Sequence, residues 1–171
     1  CVIYPTQPKN DYESSKKKVL ALAKKYTIKG VAIGNGTGSR ETQEFFARLN
    51  KEENANLSYT VVSEAGASVY SASKLAQDEY PKLDVTIRGA ISIAGRLRDP
   101  MATLVKIDPK SLGIGQYQHD VDQKLLAKKL DDVTGDLVNR VGVDLNSASA
   151  TLLSHVAGIG MKIAQNIISY R

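Results

Sequence analysis

HVAGIGMKIAQNIISYR, residues 155–171, sets two glycines one residue apart with a helical pattern on either side. Upstream, Leu152, Leu153 and Val156 recur at helical spacing, and Asn146-Ser147 supplies a helix start. Downstream, Ile163, Ile167 and Tyr170 form a second apolar stripe with Ala164 beside it. Two short helices therefore meet at a turn too tight for ordinary side chains. Glycine permits positive φ there and lets the backbone come close to a neighbour. What that neighbour is decides the function.

The other end of the chain has a different texture. Residues 1–4 (CVIY) read as a strand, about 10–26 as a helix, and GVAIG (30–34) as a short buried strand. NGTGSRETQEFFARLNKE then turns into a helix with Ser39 as its N-cap and Phe45, Phe46 and Leu49 facing inwards. LSYTVVS (57–63) is β-branched and reads as the next strand, followed by helices at about 71–79 and 86–98. Strands alternating with helices predict an α/β arrangement, a parallel or mixed sheet flanked by helices. After Asp99-Pro100 no strand pattern returns, so a domain boundary is expected between about 100 and 118.

Composition narrows the classes. At 171 residues and 42% hydrophobic, the chain has room for one or two domains with real cores. No apolar run is long enough to span a bilayer. The lone Cys1 excludes an internal disulfide and fits a reducing compartment. The chain opens without Met, in a strand pattern, and stops within a helical one, which reads as a piece of a longer protein. A net charge of +5 leans towards a polyanionic partner. Lys16, Lys17, Lys18, Lys24 and Lys25, however, share a helix whose other face is Tyr12, Val19, Leu22, Ala23 and Tyr26, the pattern of a solvated face over a core stripe.

Candidate chemistry is sparse. Gly34-Asn35-Gly36-Thr37-Gly38 lies between a strand and a helix, where phosphates bind in many α/β folds, and Glu64 ends the next strand where a ribose carboxylate would sit. The spacing is G-x-G-x-G rather than G-x-G-x-x-G, and no Lys-Ser/Thr follows, so a structural turn is expected. Two-metal cleavage needs three or four converging acids. Only Glu64 is well placed, while Asp84, Asp99 and Asp108 read as solvated or N-terminal acids. His119 and His155 lack partners at zinc-ligand spacing. Ser63 and Ser68 flank Glu64 without a G-x-S-x-G. Neither a metal nor a cofactor is called for.

The terminal hairpin resembles the helix-hairpin-helix motif. In that reading Ile159 plugs the core between the helices. The amides of Gly158, Ile159, Gly160, Met161 and Lys162 hold one nucleic-acid phosphate, and the Lys162 ammonium lies near the same phosphate. A helical hairpin used only for packing is the alternative.

AIGNGTGSRETQEF, VVSEAGASVYSAS, DVTIRGAISIAGRLRDP, LVKIDPKSLGIGQYQHDV and NRVGVDLNSASATLL, spread over residues 30–171, are similar to the middle of the Tex family of bacterial transcription accessory proteins. The resemblance implies a YqgF-type, RNase H/RuvC-like mixed sheet with flanking helices over 1–105. A linker follows at 106–120, then a truncated all-α helix-hairpin-helix domain at 121–171. It implies RNA or DNA bound through the phosphate backbone, RNA polymerase or other transcription proteins as partners, and a cytoplasmic location. It further implies an N-terminal helical region and an S1-type OB domain elsewhere in the full-length protein.

In resolvase-like relatives a first acid lies on the opening strand of the fold, which this chain lacks. Glu64 matches the second acid. The third should fall near Thr86–Ala90, which reads Thr-Ile-Arg-Gly-Ala, and neither Arg88 nor Gly89 can bind Mg²⁺. The expectation is a non-catalytic nucleic-acid-binding protein with Glu64 as a vestigial acid. The alternatives are a metal-dependent nuclease using Glu64 and a protein–protein scaffold on the transcription machinery.

Overall fold

Asp11 opens the first helix by accepting the Ser14 amide at 3.3 Å, and α1 runs Tyr12–Tyr26. The computed structural model describes all 171 residues, which gather into two units, 1–64 and 65–171. In the first unit β1 (Gly30–Gly34), α2 (Ser39–Glu53) and β2 (Ser58–Val62) make a parallel β-α-β arrangement with Ile33 opposite Val61. Parallel strands need a crossover, and α2 supplies it. Phe45, Phe46 and Leu49 share one face of α2 and are buried with Ile33 and Leu57. Burying each such side chain is worth about 1.5–3 kcal/mol in transfer free energy. Tyr12, Val19, Leu20 and Ala23 of α1 close over this cluster. Asn50 spends both ends of its amide on Leu57, at 2.8 and 3.0 Å, and so aims the chain into β2.

Several local expectations need correction here. Residues 1–4 form no strand. The Tyr4 amide donates to Ser15 Oγ at 3.2 Å and its carbonyl accepts from Asp11 at 2.8 Å, so the segment is tied to the start of α1 instead of a sheet edge. The sheet has two parallel strands where the resemblance implies a mixed one. Gly38, not Ser39, is the N-cap of α2. Tyr26 is 62% exposed because α1 ends there, and the face turned inward carries Ser15 instead. Lys16 is drawn into ion pairs with Glu13, Glu52 and Glu53 at 3.3, 3.1 and 3.0 Å.

The second unit is helical: α3 (Ala67–Ala72), α4 (Lys74–Glu79), α5 (Val85–Arg98), α6 (Pro100–Leu104), a 3-10 turn at Pro109–Leu112, α7 (Gln123–Val141), α8 (Ala150–Leu153) and α9 (Met161–Tyr170). The single helix expected at 71–79 is two, divided at Ser73, whose Oγ accepts the Ala76 amide at 3.1 Å. Asp84, Asp99 and Asp108 each cap a following turn, accepting the amides of Ile87, Ala102 and Lys110 at 2.9, 2.9 and 3.0 Å. Asp122 does the same for α7.

Two cores hold this unit. Tyr70, Ala76 and Ile107 form one, with Leu75, Leu104 and Leu112 against it. Glu79 lies beside it, accepting from the Tyr70 hydroxyl at 2.5 Å and from Lys106 at 2.7 Å. Burial, then the Glu79 hydrogen bond, pushes the Tyr70 hydroxyl pKa up. Val138, Ala148, Leu152, Leu153 and Ala164 form the other, with Met101, Ala102 and Val105 packed on it. Residues 101–105 are thus joined to the hairpin core. No helix is long and apolar enough to cross a membrane.

Candidate nucleic-acid interface

Ser149 begins the hairpin, its Oγ accepting the Leu152 amide at 3.3 Å as the N-cap of α8. The expected start at Asn146-Ser147 is a turn built on Asp144 instead. Its two carboxylate oxygens accept from the Asn146 amide at 2.9 Å and the Ser147 hydroxyl at 2.8 Å. Those bonds hold the Asp144 carboxyl below its ordinary pKa, the Asn146 amide contributing most. Asp144 is therefore a turn-forming residue, and capping falls to the next serine that precedes a helical run.

Leu152 and Leu153 are buried to 4% and 0% exposure, and Val156 packs beside them, in keeping with the stripe read from the sequence. After α8 the chain tightens through bonds from Val156 to Leu153 at 3.0 Å and from Ile159 to Val156 at 2.9 Å. Gly158 takes φ +81°, a conformation that L side chains rarely adopt. Gly160 is different: at φ −78° and ψ 167° it is extended, and it is the N-cap of α9 with no side-chain cap. Ile159 lies between them, half-buried against the hairpin core.

The inward face of α9 keeps Ala164 and Ile167 of the expected stripe but not Ile163 or Tyr170. Ala164 is fully buried with Ile167 and Ile168 beside it, whereas Ile163 and Tyr170 are 49% and 94% exposed. Arg171 donates to the carbonyls of Leu145 and Ala148 at 2.6 and 2.8 Å, tying the end of α9 back to the Asp144 turn.

The first turn of a helix leaves its amides without intrahelical partners. Here the cap is a glycine, so nothing on the cap residue covers them, and Met161 is 46% exposed. Nothing lies within 4 Å of where a Cβ on Gly158 or Gly160 would stand. Open space therefore faces the positive end of the α9 dipole, beside the exposed Lys162. Such a place accepts an anionic oxygen. Of the five hairpin residues singled out by sequence, Gly158 to Gly160 form the bend and Met161 and Lys162 open α9. The Ile159 amide, however, is already spent on the Val156 carbonyl at 2.9 Å and so is not open to a phosphate as expected.

The other candidates behave differently. Glu64 is exposed just after β2, its amide donating to Asn35 Oδ1 at 3.0 Å. Its carboxylate lies over Gly36, inside the glycine-rich loop. Arg88 and Gly89 sit on α5, in the second unit. No group of three or more His, Cys, Asp and Glu side chains comes together in a way that could hold a metal. His155 Nδ1 lies 3.9 Å from Asp131. One residue that spacing could not show is Asn139 of α7, which bonds to the backbone of the hairpin.

Comparison with known proteins divides the chain differently from its two compact units. Residues 1–98 match the family model for the Tex protein YqgF-like domain, and residues 138–171 match that for the helix-hairpin-helix motif. Protein tex of Bordetella pertussis is 53% identical over 170 residues, 99% of this chain and 22% of its own length. Transcriptional accessory protein Tex of Neisseria gonorrhoeae is 58% identical over 151 residues, 88% of this chain and 20% of its own. The human S1 RNA-binding domain-containing protein 1 is 48% identical over 158 residues, 91% of this chain and 16% of its own. The chain thus spans about a fifth of the length of the curated relatives it matches. With the YqgF-like match covering more than half of it and a helix-hairpin-helix closing it, the chain belongs to the Tex family.

Proposed function

We propose that this chain is a nucleic-acid-gripping segment of a Tex-type transcription accessory protein, acting on RNA or DNA in the bacterial cytoplasm without catalysis. The observation that carries the reading is the uncapped start of α9, with open space over Gly158 and Gly160 and Lys162 alongside. A phosphate seated there accepts from first-turn amides and neutralises a lysine, contacts that position a duplex or strand but read no bases. Names of relatives point the same way, one being a transcriptional accessory protein and another carrying an S1 RNA-binding domain. The first unit, with its β-α-β core, is read as part of an RNase H/RuvC-like scaffold. Its metal chemistry is lost, since Arg88-Gly89 stands where a metal-binding Asp belongs.

The test is salt-titrated binding of matched RNA and DNA strands by the full-length protein, as wild type, Gly160→Val and Lys162→Ala. A side chain at Gly160 enters the open space and weakens binding without meeting protein atoms. Lys162→Ala lowers affinity evenly across sequences and reduces the salt slope by about one. Three coincident curves with the fold intact would make the hairpin a packing unit only.

A second reading, a protein-binding scaffold docking on transcription proteins such as RNA polymerase, is favoured by one observation. Val133, Leu137 and Val141 recur at one-turn spacing on α7 and are 62%, 54% and 64% exposed. They line a largely apolar groove of about 720 Å³ with Leu104 and Pro109. Absence of nucleic-acid affinity in the full-length protein would select this reading.

A further inference from the structure

The hairpin's own backbone bonds leave several groups at its bend without backbone partners. His155, Val156 and Ile159 donate to Leu152, Leu153 and Val156, but the His155 carbonyl and the Ala157 amide find no backbone partner among these turn bonds. Both are taken by one side chain from another helix. Asn139 Nδ2 donates to the His155 carbonyl at 3.0 Å, and Asn139 Oδ1 accepts the Ala157 amide at 2.9 Å. The same Nδ2 also donates to the Gly135 carbonyl one turn back at 2.6 Å, which fixes the amide plane. Val138, next to it, is 1% exposed and anchors that turn of α7 in the hairpin core.

We infer that Asn139 is the positioning residue of the phosphate-gripping hairpin, clamping residues 155–157 so that Gly158 can turn and the first-turn amides of α9 point outward together. The inference rests on the phosphate reading above. Its chemistry is specific. The bend offers an acceptor and a donor two residues apart, and a short primary amide meets both at once. Aspartate has the acceptor but no donor, and its charge would face two carbonyl oxygens. Alanine meets neither. Because Asn139 is exposed, water can replace its bonds when it is removed, so the side chain contributes more to orientation than to stability.

The experiment is binding of an RNA strand by the full-length protein as wild type, Asn139→Ala, Lys162→Ala and the double variant, with melting temperature and salt slope recorded for each. Asn139→Ala should weaken binding roughly fivefold, the equivalent of one net hydrogen bond, and flatten the salt slope. The double variant should lose less than the product of the two single losses, because both act on one phosphate contact. A purely structural Asn139 would lower the melting temperature and leave the slope below it untouched. If Asn139→Ala does not fold, Asn139→Asp, which keeps the acceptor for Ala157, should show the same loss of affinity and slope. Wild-type affinity and slope in Asn139→Ala or Asn139→Asp, while Lys162→Ala binds weakly, overturns the positioning role alone. Wild-type binding by Lys162→Ala overturns the phosphate reading and the positioning role with it.

Discussion

The carboxyl carbon of Glu64 lies 2.7 Å from where a Cβ on Gly36 would stand. The carboxylate therefore covers the middle of the Gly34–Gly38 loop, and the Glu64 amide is held by the neighbouring Asn35. A phosphate entering this loop would meet a negative charge already in place. ATP or NAD should consequently give no thermal shift, in wild type or in Gly36→Val. Gly36→Ala displaces only the end of a flexible, exposed side chain, so its effect on stability should stay within about 0.5 kcal/mol. A shift of several degrees with nucleotide, lost in Gly36→Val, would show a nucleotide site.

Asp84, Asp99 and Asp108 are helix caps, so each should contribute to stability rather than to metal chemistry. Asp84→Ala should lower the stability of the second unit by about 1 kcal/mol. No Mg²⁺- or Mn²⁺-dependent cleavage of branched or single-stranded substrates is expected from the wild type. Cleavage abolished by Glu64→Gln would reverse that conclusion.

The two hairpin glycines should respond differently to the same change. Gly158, at φ +81°, should tolerate alanine poorly, losing more than about 1 kcal/mol. Gly160, extended and open, should accept alanine at a cost under about 1 kcal/mol, the difference between glycine and alanine at an N-cap. Equal losses at both, by denaturant titration, would mean that the turn relaxes.

Gly66 and Gly113 share positive φ, +71° and +73°, but not their surroundings. A Cβ on Gly66 would stand 2.7 Å from Ile107 Cγ2 and 2.9 Å from Leu112 Cδ2, whereas nothing lies near Gly113. Gly66→Ala should therefore cost more than Gly113→Ala by about 1–3 kcal/mol, the usual range for overpacking a core. Paired melts of the two variants measure the difference directly.

Glu52 joins α2 to α1 through Lys16 at 3.1 Å and the Tyr12 hydroxyl at 2.9 Å, and pairs with Arg48 of its own helix at 2.7 Å. Arg48 first, then Lys16 and Tyr12, pull its carboxyl down from the ordinary 4.5 to about 2. A depressed acid stabilises the fold fully above its unfolded pKa and loses that contribution as pH falls through the folded one. The melting temperature of the first unit should thus decline between about pH 4.5 and about pH 2. Glu52→Gln should flatten that limb, and added salt should weaken it because the group is partly exposed. An unchanged acid limb in Glu52→Gln would place the titration elsewhere.

What the sequence determined by itself is local in origin. The β-α-β run, the inward trio Phe45, Phe46 and Leu49, and the Gly-Ile-Gly hairpin all follow from periodicity and turn chemistry within a few residues. Tertiary structure decided what periodicity leaves open. Adjacent stripes on one helix are both apolar, and only packing against the hairpin core kept Ile167 and selected Ile168 over Ile163 and Tyr170. CVIY has the residues of a strand, but Ser15 and Asp11 claimed Tyr4's backbone bonds before any sheet edge did. Asn139 meets His155 across 16 residues of chain, and that contact depends on how α7 packs against the hairpin. Hydrogen-bond partners so far apart are chosen by packing, because no spacing rule reaches beyond one helix or one turn.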